Sequence, residues 1–146
     1  MTPAPSTVHQ TVSKRLQYQL YTQIELAGLG VVFNAPVDVQ LTDHDIVQPD
    51  LVVVLKGRES IIAHAKINGV PDLVVEILSP STTRSDTAIK KSLYQRAGVS
   101  EYWIVDPDGR EIQQYRLVDG VFHQVPYAEP LLGLTGMVQL CRVDAW

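Results

Sequence analysis

Residues 71–80 read PDLVVEILSP, and the glutamate in their midst decides how the rest of the chain is read. Five aliphatic residues, Leu73, Val74, Val75, Ile77 and Leu78, lie between Asp72 and Ser79 and are interrupted only by Glu76. A short aliphatic, β-branched run bounded by Pro and Ser predicts a strand buried on both faces. A carboxylate inside such a strand needs a partner, because an ionised group taken out of water without compensation is strongly disfavoured. The letters PDLVV recur at 49–53, where Asp50 opens a run that continues through Val54 and Leu55. Two aliphatic strands therefore each carry a carboxylate.

Asp50 stands at the start of one strand and Glu76 near the end of the next. Antiparallel pairing brings them to the same end of a sheet. Side-chain alternation puts Asp72, Val74, Glu76 and Leu78 on one face. The following SPSTTRSD is rich in residues that bond their own backbone, which suits a loop entering a helix. That helix is expected from about Asp86 through Ala97, with Gly98 stopping it. It carries Lys90, so Asp50, Glu76 and Lys90 can converge.

Toward the N-terminus, MTPAP (1–5) reads as a loose end. Thr7 with Gln10 resembles a capping box, and Val8, Val12, Leu16, Leu20 and Ile24 recur every four residues. A helix of about five turns ending near Gly28 and Gly30 follows. VVFNAPVDVQL (31–41) predicts a strand interrupted at Asn34 to Pro36, TDHD a polar turn, and KGRESIIAHAKINGV a loop with weak order at Ile61 and Ile62. Toward the C-terminus, EYWIVD (101–106) predicts a strand and DPDG a turn. EIQQYRLV and VFHQVPY flank Asp119-Gly120, the strongest hairpin signal in the chain. The tail from Gly136 to Cys141 is a further candidate strand. The order helix, three strands, helix, strand, hairpin implies a meander whose next strand joins in parallel through a crossover. The fold class is mixed α/β in one domain spanning 1–146.

Composition is that of an ordinary globular domain, 45% hydrophobic and 19% charged. One cysteine rules out an internal disulfide and fits a reducing compartment. No leader is recognised, and no apolar run approaches the roughly 20 residues that span a bilayer. A soluble cytoplasmic protein is expected. The net charge of −4 argues against indiscriminate binding of nucleic acid. Residues 56–96, however, hold seven Lys and Arg against four acids, so that segment is +3 and the remainder −7.

QPDLVVV at 48–54, PDLVVEILSPST at 71–82 and DTAIKKSLYQRAGVSEYWIVDP at 86–107 resemble the Uma family of small bacterial restriction-endonuclease-like proteins. That family lies within the PD-(D/E)XK nuclease superfamily, with a core of helix, three strands, helix and strand. The resemblance implies Asp50 as the aspartate of the PD motif and Glu76 as the strand glutamate. Leu78 occupies the place of the parent motif's lysine. In the family pattern D-x3-K-x3-Y, the lysine sits on the following helix, here Asp86, Lys90 and Tyr94. Lys91 lies about 100° further round that helix and is the lesser candidate. The resemblance also implies an acidic strand of the form Y-E-L-x-x-G before the first helix, which is not found here.

What the resemblance implies chemically is Mg²⁺, with Mn²⁺ as a substitute, held by Asp50, Glu76 and the backbone carbonyl of Ile77. Lys90 would serve as electrostatic catalyst, and DNA would be the substrate of a homodimer. His9 and Tyr94 are expected beside the ligands. The competing readings are a catalytically silent nuclease-fold module that binds nucleic acid or protein, and a structural oligomer in which Glu76 and Lys90 merely form an ion pair. Asp72 is expected to begin its strand or to bond a loop. Tyr102, Trp103 and Ile104 are expected in the core or an interface. His44, His64 and His123 show no ligand spacing.

Overall fold

A computed structural model describes residues 4–126. Its elements are α1 (Thr7–Leu20), β1 (Gly30–Asn34), β2 (Val39–Gln40), β3 (Ile46–Val47), β4 (Leu51–Leu55), β5 (Ile67–Asn68), β6 (Leu73–Ile77), α2 (Arg84–Ala97), β7 (Glu101–Asp106), β8 (Glu111–Val118) and β9 (Val121–Gln124). Six strands form one sheet in the order β1-β4-β6-β7-β8-β9. The first three pair antiparallel as a meander, β6 and β7 pair in parallel, and β7, β8 and β9 continue antiparallel. The parallel pair requires a crossover, and α2 is that crossover.

The all-aliphatic runs of β4 and β6 follow from their central position. Alternate residues point to opposite faces. Leu51, Val53, Leu73, Val75 and Ile77 pack with Val12, Leu16, Leu20 and Ile24 of the first helical segment and with Trp103. Val52, Val54, Val74, Tyr102 and Ile104 pack on the other face with Tyr94 of α2. Neither strand has a wet face, and the sequence alternation is lost for that reason.

Several boundaries differ from expectation. Ser6, not Thr7, caps α1, its hydroxyl accepting from the His9 N–H at 3.1 Å. His9 therefore lies inside the first turn. Val8 projects to solvent, 55% exposed, so the apolar repeat begins at Val12. The helix widens into a π turn at Tyr21–Glu25, which keeps Ile24 on the buried face. Helix α2 begins at Arg84, two residues before the expected start, because Thr83 and Asp86 form a reciprocal capping box. Gly98 ends it in the left-handed conformation at φ 90°.

A small second sheet, β3-β2-β5, was not expected. It is built of two-residue strands, and its Val39 and Ile67 join the α2-side core. The Asp119-Gly120 hairpin forms with both residues at positive φ, 51° and 79°. Residues 1–3 of the expected loose end, Tyr127 of VFHQVPY and the expected tail strand at Gly136 to Cys141 lie outside the described residues. Among the described residues no helix is long and apolar enough to cross a membrane.

Candidate active site

Register places the two carboxylates. Leu51 pairs with Val75 across the antiparallel β4 and β6, so the residue before Leu51 and the residue after Val75 meet at one end. These are Asp50 and Glu76. The contact is direct through the backbone: the Ile77 N–H donates to Asp50 Oδ2 at 2.7 Å. Asp50 Oδ1 lies 3.2 Å from Nε2 of His9. A strand end and a helix start thus hold the two oxygens of one carboxylate.

Glu76 is buried, and α2 reaches both of its oxygens. The Tyr94 hydroxyl donates to Oε1 at 2.7 Å, and Lys90 Nζ lies 3.3 Å from Oε2. Lys90 and Tyr94 are four residues apart, one turn on the same helix face. The capping box fixes where that face starts. Asp86 accepts from the Thr83 N–H at 3.1 Å while the Thr83 hydroxyl accepts from the Asp86 N–H at 3.1 Å. Those bonds hold the Asp86 carboxyl below its ordinary range. The spacing of Asp86, Lys90 and Tyr94 acquires a physical meaning here: the aspartate sets the helix, and the lysine and tyrosine grip the glutamate. Lys91, one step further round, lies over the Tyr115 ring at 4.0 Å and takes no part.

Burial raises the Glu76 carboxyl above its ordinary value, Lys90 and Tyr94 oppose that rise, and the nearby Asp50 charge adds to it. Burial is also the main reason that the Tyr94 phenol is pushed far above its usual range, with the Glu76 charge second. Tyr94 is consequently a permanent donor. Glu76, Ile77, Lys90 and Tyr102 border a cavity of about 460 Å³ whose rim includes Ser81, Thr82 and Thr87. His9 and Asp50 border a second cavity of about 620 Å³ along the start of α1.

All six residues singled out in the sequence, His9, Asp50, Glu76, Ile77, Lys90 and Tyr94, therefore share one end of the sheet. Asp72 does not: it accepts from the Leu55 N–H at 2.8 Å and pairs with Arg58 at 2.8 Å, tying β6 to the end of β4. Tyr102 was expected in the core, and its place at the cavity was missed. Its strand position two before Ile104, which pairs with Glu76, was the available signal.

Among the described residues no group of three or more His, Cys, Asp or Glu is arranged to hold a metal ion. The donors at this end are instead two carboxylates beside a strand-end carbonyl. Hard oxygens of that kind are what Mg²⁺ takes, with its other positions left to water and substrate oxygens. Each carboxylate has about four lone-pair sites, so the bonds already made leave acceptor capacity. The residues fit such an ion.

The fold is similar to a crystal structure from Anabaena variabilis described as a "putative nuclease", with a TM-score of 0.71 and 18% identity over 94% of this chain and 78% of that one. No curated protein matches the chain. The model of the Uma2 family, described as "Putative restriction endonuclease", matches residues 1–140. With that match over nearly its whole length, the chain belongs to the Uma2 family.

Proposed function

We propose that the protein is a metal-dependent endonuclease that hydrolyses phosphodiester bonds, with DNA as its substrate. One observation carries the reading: Glu76, buried in a strand, meets Lys90 at 3.3 Å and lies beside Asp50 on the neighbouring strand. A purely structural charge would not need a second carboxylate next to it, since two like charges raise each other's cost.

Asp50, Glu76 and the Ile77 carbonyl would hold Mg²⁺ or Mn²⁺. A bound ion of this kind neutralises phosphate charge and makes a coordinated water more acidic. The chain's own residues do the positioning. The Ile77 N–H and His9 orient Asp50, and Tyr94 fixes Glu76 Oε1. The ammonium of Lys90, half-exposed at the cavity, would orient an attacking water or stabilise negative charge developing on phosphorus. A homodimer would present one such site to each strand of a duplex.

A catalytically silent binding module is the second reading. It is favoured by a different observation, that all four oxygens of Asp50 and Glu76 already have a protein partner. Nicking of supercoiled plasmid tests between them. With Mg²⁺ or Mn²⁺ the wild type is expected to nick, with EDTA it is not, and Asp50→Ala, Glu76→Ala and Lys90→Ala each abolish the activity. Binding of plasmid without nicking under any metal would select the silent module.

A further inference from the structure

Tyr102 lies on β7, where its strand neighbour Val74 shares the face of Glu76. Its side chain is 1% exposed. The ring is wedged among Tyr94, Phe122 and Tyr115, with centroids at 5.0, 5.8 and 6.5 Å. That packing leaves the phenol little freedom to turn. The cavity it borders is the one that holds Glu76 and Lys90.

Among the described residues the Tyr102 hydroxyl has no hydrogen-bond partner, although Tyr94 beside it and Tyr115 both have one. It is also not one of the fully enclosed orphan atoms, which are Gln23 Oε1 and Trp103 Nε1. The hydroxyl is therefore not sealed, and its residue lines the cavity of Glu76 and Lys90. A buried hydroxyl is paired in nearly every folded protein, and one left facing a cavity is a donor waiting for an acceptor.

No hydrogen bond joins the Tyr102 hydroxyl to Glu76, whose oxygens meet Tyr94 and Lys90. The cavity lining sets the Lys90 ammonium and the neutral Tyr102 hydroxyl against the Glu76 and Asp86 carboxylates, so these two donors are where an anionic oxygen would be received. Burial and the Glu76 charge push the Tyr102 phenol well above its ordinary range, which keeps its proton in place. Building on the nuclease reading above, we infer that the Tyr102 hydroxyl donates a hydrogen bond to a phosphoryl oxygen of the bound nucleic acid, opposite Lys90. The aromatic cluster behind it supplies the rigidity that a directed bond requires, and the hydroxyl is the only part of the ring that the substrate needs.

Tyr102→Phe keeps the ring and its packing and removes the donor. Cleavage of a fluorescent DNA duplex in Mn²⁺ is measured for wild type and variant, along with duplex binding in EDTA and thermal unfolding of both proteins. A hydrogen bond to a charged group corresponds to a loss of roughly 10- to 100-fold in kcat/KM. That loss is expected with an unchanged unfolding temperature. Cleavage by Tyr102→Phe at the wild-type rate overturns this inference and leaves the nuclease reading standing. A fall in unfolding temperature that accounts for the lost activity also overturns it, since the hydroxyl would then be structural. Wild-type protein that neither binds nor cuts the duplex overturns the nuclease reading and this inference with it.

Discussion

The Ile77 N–H donates to Asp50 Oδ2 at 2.7 Å, so the strand end that carries Glu76 is bonded directly to the residue that opens the strand before it. Two carboxylates brought together in this way repel when both are charged and no cation lies between them. Stability should report that conflict.

Removing the Glu76 charge without metal should therefore cost little. Lys90 is 49% exposed and can turn its ammonium to water when the carboxylate is gone. In EDTA, Glu76→Gln is expected to be neutral or stabilising in urea unfolding at neutral pH. A loss on the order of 3 to 5 kcal/mol, the cost of stranding a buried partner charge, would mean that the pair is structural.

The same residue sets a pH dependence. Burial raises the Glu76 carboxyl above its ordinary 4.5, so without metal the folded state holds this proton more tightly than the unfolded chain does. Its contribution is full on the acid side and is lost as pH rises from that ordinary value through the raised one. Urea unfolding across a pH series in EDTA should show wild type losing ground to Glu76→Gln over that window. Parallel curves for the two proteins would refute the assignment.

Metal should reverse the penalty. An ion bound only by the folded state stabilises it by about 2.7 kcal/mol at a hundred times its dissociation constant. Denaturant unfolding in Mn²⁺ is expected to show a gain of that order for wild type, and almost none for Glu76→Gln or Asp50→Asn. An equal gain in all three would place the ion elsewhere.

Tyr94 is fully buried and donates to Glu76 Oε1 at 2.7 Å. Tyr94→Phe removes a bond to a charged acceptor and is expected to destabilise the fold by about 1.5 to 3 kcal/mol. Tyr102→Phe, on the neighbouring ring, is expected to leave unfolding unchanged. Chemical denaturation of the two variants side by side checks the contrast.

Thr83→Ala removes one half of the capping box that starts α2. A loss of about 1 kcal/mol is expected from the cap alone. Because Lys90 and Tyr94 ride on this helix, nicking should fall further than the stability loss accounts for. Calorimetry and plasmid nicking on one preparation compare the two effects.

Where the chain's local chemistry was strong, the sequence was legible. The aliphatic runs of β4 and β6, the EYWIVD strand and the Asp119-Gly120 hairpin depend on neighbours in sequence, and each appears where expected. Convergence of Asp50, Glu76 and Lys90 also followed from antiparallel pairing plus one crossover. What escaped was set by distant partners. Strands of two residues, such as Val39–Gln40 and Ile67–Asn68, carry no periodicity, so the second sheet is invisible until the chain is folded. Val8 fits the apolar repeat of α1 and still faces solvent, 55% exposed where Val12, one turn later, is buried. Tyr102 reads as core by composition, and only the register of β7 on β6 reveals that its hydroxyl shares a cavity with Glu76.

The two carboxylates answer to different helices. His9 on α1 steadies Asp50, Lys90 and Tyr94 on α2 steady Glu76, and the Ile77 to Asp50 bond joins the two halves. The site is thus a seam between two separately supported parts. Changes on α1 act first on Asp50 and changes on α2 first on Glu76, and a double-mutant cycle between His9 and Lys90 should show the coupling that the backbone bond and the repulsion between the two carboxylates transmit. On the nuclease reading, a seam of that kind gives the scaffold a route to silence: altering α2 alone would end cleavage while the Asp50 half, the cavity beside it and the fold all persist.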